Sequence, residues 1–348
     1  MNKSMIALAV LAGFAGVASA QSSVTLSGSI DAGVRRIDGV NDMAGAGSSR
    51  NNLTFSGVED LGGGNSAFFT LNHRFNVQSG TQNGQNSVVS TTAAGLPNAA
   101  DPAAQFYRNV WVGLKNNAIG DLRLGRFLYP VQELNGNYDA FGTDTVGSTH
   151  TGGLKANLRT NSSAYLRSAN FAGFQLHLAT GFKNNGQTNQ VVAATPPATG
   201  FVTVANTKAP VGAAAVFATG PMSVALAYDS NGAELTTKAL YGSYDLGVAK
   251  LMAQYEKTDV NVAQTASDKR YSFSATIPVG ALSKAKVGYL HIDDTTKAGT
   301  QSKFGAGFDF GLSKRTTVYT DVAKLRGDEG LTTNNKKVRF DIGVNHKF

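Results

Sequence analysis

The chain contains no cysteine. No disulfide can staple it, so the stability of a chain of 348 residues has to come from elsewhere. Long apolar runs are missing too. Although 42% of residues are hydrophobic, nothing beyond the first twenty residues approaches the roughly 20 consecutive apolar residues of a helical membrane span. If this chain meets a bilayer, only a closed barrel of strands could carry it across, because barrel closure satisfies every backbone group. Proline is scarce at 8 residues while glycine is abundant at 40. Basic residues exceed acidic ones, 31 against 23, yet they form no runs, which argues against nucleic acid. Catalytic signatures are absent as well. The five histidines, His73, His150, His177, His291 and His346, stand in no Ser or Asp signature, and no H-E-x-x-H occurs. Gly62-Gly63-Gly64 is followed by neither a helix nor Lys-Ser/Thr, so it reads as a tight turn rather than a phosphate cradle. No enzyme, metal or cofactor is expected.

What is present is informative at both ends. Lys3 precedes an apolar or small stretch, Met5 to Val17, that finishes in Ala18-Ser19-Ala20. A charged start, a short apolar region and an A-x-A site make a cleavable export signal, so residues 1–20 are expected to be removed and residues 21–348 to form one domain. Removing one Lys and no acid takes the formal charge from +8 to about +7. At the other end, Val338, Phe340, Ile342 and Val344 alternate with Arg339, Asp341, Gly343 and Asn345, and the chain stops on the bare aromatic Phe348. Period-two alternation over such a length fits a tilted strand of about nine to eleven residues crossing a bilayer.

The same pattern recurs along the chain. Sixteen strand candidates fall near 24–35, 52–57, 68–75, 106–115, 120–127, 158–168, 174–182, 210–217, 222–229, 237–244, 249–257, 270–278, 285–292, 303–310, 316–324 and 338–348. Their connections alternate between short turns, such as Gly220–Pro221, and longer polar segments, such as Asp38–Ser49, Leu128–Asn157 and Asn184–Ala209. Short turns at one end and long loops at the other are the habit of an all-β transmembrane antiparallel barrel with an apolar outer face and a polar lumen. The serine, threonine, asparagine and glycine of the polar faces suit water rather than a packed plug.

By this point the residues resemble a family. Val24-Thr25-Leu26-x-Gly28-x-Ile30-Asp31-x-Gly33, then Ser49-Arg50 leading to Phe55-x-Gly57-x-Glu59-Asp60-Leu61-Gly62, look like the start of Gram-negative general porins of the β-proteobacterial and neisserial branch. Val112-Gly113-Leu114, Leu124-Gly125-Arg126, Arg159-x-Asn161-Ser162, Leu312-Ser313-Lys314-Arg315-Thr316 and Gly343-Val344-x-His346-Lys347-Phe348 follow in the same order. Ser27 stands where the family usually has Tyr. The resemblance implies an outer-membrane homotrimer of sixteen-stranded barrels, each narrowed by an inward-folded third outer loop, here Leu128–Asn157. It also implies contact with the bilayer and lipopolysaccharide, and a terminal Phe348 read by the barrel assembly machinery.

In the family a wall of arginines faces acids on that loop. The matching wall positions are Arg126 and Arg159, and strand parity adds Arg35, Arg50, Arg74 and Arg123. Arg126 shares the parity of Leu122 and Leu124, so its inward placement requires a bulge. The loop acids are Glu133, Asp139 and Asp144. Guanidinium charge persists at any physiological pH, and basic rings favour anions. The expected function is therefore a diffusion channel for small hydrophilic solutes and ions, with a preference for anions. A solute-specific porin for phosphate or carboxylates, and a structural or adhesive barrel, stand as alternatives.

Overall fold

The computed structural model describes residues 22–37, 39–44, 51–81, 107–150, 159–182, 188–195, 198–205, 208–232, 235–261, 265–294, 299–327 and 338–348. The export-signal expectation, residues 1–20, lies outside them. Sixteen antiparallel strands close into a barrel. The first half holds β1 (Ser23–Ile37), β3 (Asn52–Gly62), β4 (Asn65–Arg74), β5 (Tyr107–Asn116), β6 (Gly120–Leu128), β7 (Arg159–Ser168) and β8 (Phe174–Gly181). It continues through β11 (Val211–Thr219), β12 (Met222–Ser230), β13 (Leu235–Asp245), β14 (Lys250–Asn261) and β15 (Thr265–Val279). The circuit ends with β16 (Ser283–Asp294), β17 (Gly299–Gly311), β18 (Thr316–Arg326) and β19 (Val338–Lys347). Each strand pairs with its sequence neighbour. The seam joins β1 to β19, from Ser29 opposite Lys347 to Arg36 opposite Phe340.

Side-chain placement follows the alternation in the sequence. In β19 Phe340, Ile342 and Val344 are exposed, whereas Asp341 and Asn345 are buried. In β14 Leu251 is exposed while Gln254, Glu256 and Thr258 are buried. An apolar outer surface around a polar interior reverses the order of a soluble barrel and is what lipid outside and water inside require. No described helix is long and apolar enough to cross a membrane.

The tight ends are built as their residues dictate. Gly62, Gly63 and Gly64 all have positive φ, 80°, 61° and 78°, between β3 and β4, a conformation that any Cβ would penalise. Phe348 completes the seam by exchanging two backbone hydrogen bonds with Gly28, at 3.0 and 3.1 Å. Its ring lies 2.7 Å from where a Cβ on residue 28 would stand, so only glycine admits it there.

All sixteen expected strands are present, several of them longer than the alternation indicates. β15 starts at Thr265 rather than 270, because Thr265 to Lys269 is mostly polar and the ladder outlasts the two-faced pattern. Two segments expected to be loops contain strands. β2 (Val40–Ala44) adds to the end of β1, with Val40 opposite Ile37. β9 (Thr188–Thr195) and β10 (Ala198–Ala205) form a separate hairpin between β8 and β11. β2 joins the barrel sheet through β1, whereas β9 and β10 pair with each other in a sheet of their own.

Candidate functional site

The barrel interior carries a dense positive patch on β4 to β7. Arg74 ends β4, Arg108 lies in β5, Arg126 in β6 and Arg159 opens β7. Arg108, Arg126 and Arg159 are buried from solvent at 7%, 8% and 9% exposure, and Arg108 and Arg159 repel each other as well as Arg74 and Arg126. Two of them reach this face through irregularities of the ladder. Asn72 pairs with Asn109 but His73 with Tyr107, so Arg108 is an extra residue between them. Val112, of the same parity, is 59% exposed on the outer face. Likewise Gly125 pairs with Ser163 but Phe127 with Thr160, and Gly125 takes a φ of 145°. This slip turns Arg126 away from the side of Leu122 and Leu124. A bulge re-aims one side chain without changing the strands on either side.

The donors of this patch are only partly used. Arg126 donates to Asn161 Oδ1, and Arg159 Nε donates to Asn109 Oδ1 at 2.8 Å. Arg74 Nε, Arg108 Nε and Nη1 and Arg126 Nε are buried with no acceptor among the described residues. Asp144, on the segment facing the patch, interacts electrostatically with Arg74 and Arg108. Among the described residues, four cations against one acid make the local field positive.

That segment, Tyr129–His150, is held against the inner face of the other strands. It opens with α1 (Pro130–Leu134), where proline's fixed φ suits the first helical position, and continues as a single tighter turn over Asn135–Tyr138. Val131 N–H donates to Asp229 of β12 at 3.2 Å, and its carbonyl accepts from Tyr241 of β13 at 3.2 Å. Gln254 of β14 donates to the Tyr138 carbonyl at 2.7 Å, and Ala140 N–H donates to Ser274 of β15 at 3.1 Å. Val146 N–H reaches Asp341 of β19 at 3.0 Å. Val131, Leu134, Tyr138 and Phe141 pack on Ala214, Ala225, Ala239 and Met252, and Tyr138 stacks on Tyr241 at 5.1 Å. Tyr129, at the root of the segment, donates to the Pro210 carbonyl; burial pushes its hydroxyl up to about 12, so it stays protonated. On this side the wall charges are paired: Arg270 with Glu256 at 3.0 Å, Lys286 with Asp321 at 2.9 Å.

The expected site residues separate into distinct groups. Arg74, Arg126, Arg159 and Asp144 come together, and Arg108, which is not among the expected wall residues, joins them. Arg123 sits elsewhere, tied to Asp121 at 2.8 Å and Glu133 at 3.4 Å and lying over Trp111 and Tyr165 at 5.5 and 5.3 Å. Arg167 shares Asp121 at 2.8 Å. Glu133 is thus spent on Arg123 rather than on the main patch. Asp139 departs from its expected role as an acid facing the channel. Its carboxylate is turned into the loop, where it accepts from Phe141, Thr143 and Thr149 N–H and from the Ser148 and Thr149 hydroxyls, at 2.7 to 3.2 Å. A short side chain with two oxygens meets five nearby donors, so it closes the turn instead. Arg35 is paired with Asp42 of β2 at 2.8 Å, apart from the patch. Arg50 and the loop residues 151–158 lie outside the described residues.

Comparisons with known proteins agree with this architecture. The profile of the Gram-negative porin family matches residues 7–330. The chain is 28% identical to outer membrane porin protein 32 of Delftia acidovorans and 26% identical to an outer membrane porin protein of Bordetella pertussis, each over the full length of both chains. Among solved structures it is similar to an anion-selective porin from Comamonas acidovorans, at 24% identity and a TM-score of 0.71, covering 94% of this chain and 100% of that one. The trimer form of OmpT from Vibrio cholerae gives a TM-score of 0.65 at 13% identity, covering 94% and 99%.

Proposed function

Because the chain belongs to the Gram-negative porin family, we propose that its outer-membrane barrel is an anion-preferring channel filtered by Arg74, Arg108, Arg126 and Arg159. The barrel is a general porin, a water-filled path for small hydrophilic solutes and ions. The observation that carries the anion preference is the imbalance of the interior: four clustered guanidiniums face Asp144, while the cations named on the opposite wall are each paired with an acid. Rings of basic side chains raise the local concentration of anions and exclude cations. The bound segment Tyr129–His150 narrows the path beside the patch, where a Debye length of roughly 8 Å at physiological salt leaves the field effective.

Zero-current reversal potential across a KCl gradient tests this reading. A positive patch predicts chloride permeating faster than potassium, most clearly at low salt. A channel that prefers potassium overturns it. The unused donors of Arg108 give a solute-specific anion porin its own support, since guanidinium forks match phosphate and carboxylate oxygens. A current that saturates with phosphate or a dicarboxylate, and is blocked by it, favours that second reading; conduction linear in concentration favours general diffusion.

The chain is read as a channel rather than an enzyme. A homotrimer, export by cleavage after Ala20 and recognition of Phe348 by the assembly machinery complete the proposal. The family resemblance supports all three, and the last also draws on the terminal aromatic at the seam.

A further inference from the structure

Arg126 is tied down without being neutralised. It donates to Asn161 Oδ1 of β7, and among the described residues no acid lies within ion-pair distance of it. Arg159 Nε likewise donates to an amide oxygen, Asn109 Oδ1, at 2.8 Å. Four other inward cations are held differently. Arg123 bonds Asp121 and Glu133, Arg167 bonds Asp121, Arg270 bonds Glu256, and Lys286 bonds Asp309 and Asp321. A carboxylate partner orients a cation and cancels its charge. A carboxamide oxygen orients it and leaves the charge whole.

The backbone is distorted around the Arg126 contact. Between the pairs Gly125–Ser163 and Phe127–Thr160, two residues of β7, Asn161 and Ser162, stand against the single Arg126 of β6. Both strands leave ordinary extended geometry at this rung: Gly125 has a φ of 145° and Ser162 one of 46°. A serine in the left-handed region is uncommon, and it persists only where its surroundings over-determine it. Ser162 is exposed, whereas Asn161, one residue before it, is half-buried and meets the guanidinium. The bulge thus aims two side chains at one another, one from each strand. Aspartate has the same shape as asparagine and would make the same bond, so geometry alone does not account for an amide here. The charge that the amide spares does.

We propose that Asn161 is a positioning residue of the filter. Its neutral oxygen fixes the Arg126 guanidinium within the patch, and an amide rather than a carboxylate at this position keeps the patch positive. The proposal rests on the channel reading and deepens it, by naming the group through which Arg126 is both held and left charged.

The test is the zero-current potential across a dilute KCl gradient, for the full barrel in planar bilayers. Wild type is compared with R126Q, N161A and the R126Q/N161A double variant. N161A is expected to lower the chloride-to-potassium permeability ratio by roughly twofold, in the direction of R126Q, and to add nothing in the R126Q background, because Asn161 acts through Arg126. N161D keeps the acceptor and cancels the charge, so it should lower the ratio further than S56D does. Ser56 pairs across Thr70 and Trp111 with Gly125, so S56D places the same charge on the same face and at the same level, three strands away. N161A at the wild-type ratio overturns the proposal. So does full additivity in the double variant, or an S56D shift equal to that of N161D. Should N161A not assemble, the comparison of the isosteric N161D with S56D decides. Every shift is read relative to wild type, so a potassium-preferring wild type that shows the expected shifts defeats the anion reading alone, and an anion-preferring wild type without them defeats the role of Asn161 alone.

Discussion

At the residue scale, the site is made by slips of the ladder as much as by arginines. Arg108 and Arg126 carry the parity of lipid-facing neighbours and are turned inward by single-residue irregularities. For Arg126 the family resemblance supplied the placement that parity denied. For Arg108 nothing in the local sequence announced the bulge, because the partner that slips, His73, belongs to another strand. Replacing Arg108 by Gln is expected to lower the chloride-to-potassium permeability ratio by roughly twofold or more in dilute KCl and by less in concentrated KCl. Replacing Arg35, whose charge is neutralised by Asp42, should leave the ratio unchanged; equal effects of the two would remove the patch from the filter. Asp139 shows the converse limit of sequence reading. An acid in the right loop reads as a channel charge until its five bonds are seen. Asp139→Asn replaces one acceptor oxygen by a donor facing those N–H and O–H groups, and each unmade bond costs about 1–3 kcal/mol. Noisier open-channel current and faster proteolysis within residues 129–150, at unchanged reversal potential, would check this role. A shift of selectivity without loosening would return Asp139 to the channel wall.

At the element scale, each barrel strand was legible because lipid and water write opposite demands on alternate residues. β2, β9 and β10 were not, since they are short and lie within segments whose composition reads as loop. The fixed position of Tyr129–His150 was legible only through the family, because its anchors, Asp229, Tyr241, Gln254 and Asp341, are scattered over four strands. Asp229→Ala removes the acceptor of the Val131 N–H at the start of α1. Freed there, the segment is expected to sample other positions, and single-channel records should show added substates where wild type shows one level. Gly125 tests the bulge itself. A Cβ at this residue would meet the Val110 carbonyl at 2.2 Å, on top of a φ of 145°. Gly125→Val therefore strains the backbone by about 1–3 kcal/mol. A lower urea midpoint for unfolding from detergent is the expected reading; an unchanged midpoint would mean that the slip does not depend on glycine.

At the scale of the whole molecule, closure supplies the stability that cysteine cannot. Deleting Phe348 removes the two bonds to Gly28 and the ring that fills its place, while leaving the β1–β19 ladder from Ser29 to Lys347 intact. Outer-membrane levels of the truncated chain are expected to fall much further than the unfolding temperature of the fraction that does assemble; normal levels would sink the idea. The seam also sets a clock. β1 is the first strand to be synthesised and β19 the last, so until the final residues arrive the nascent wall has two open edges, each offering unpaired backbone to any passing strand. Such a chain cannot fold progressively as it emerges. It has to stay unfolded until complete, because the edge of β1 closes only on a partner made some three hundred residues later.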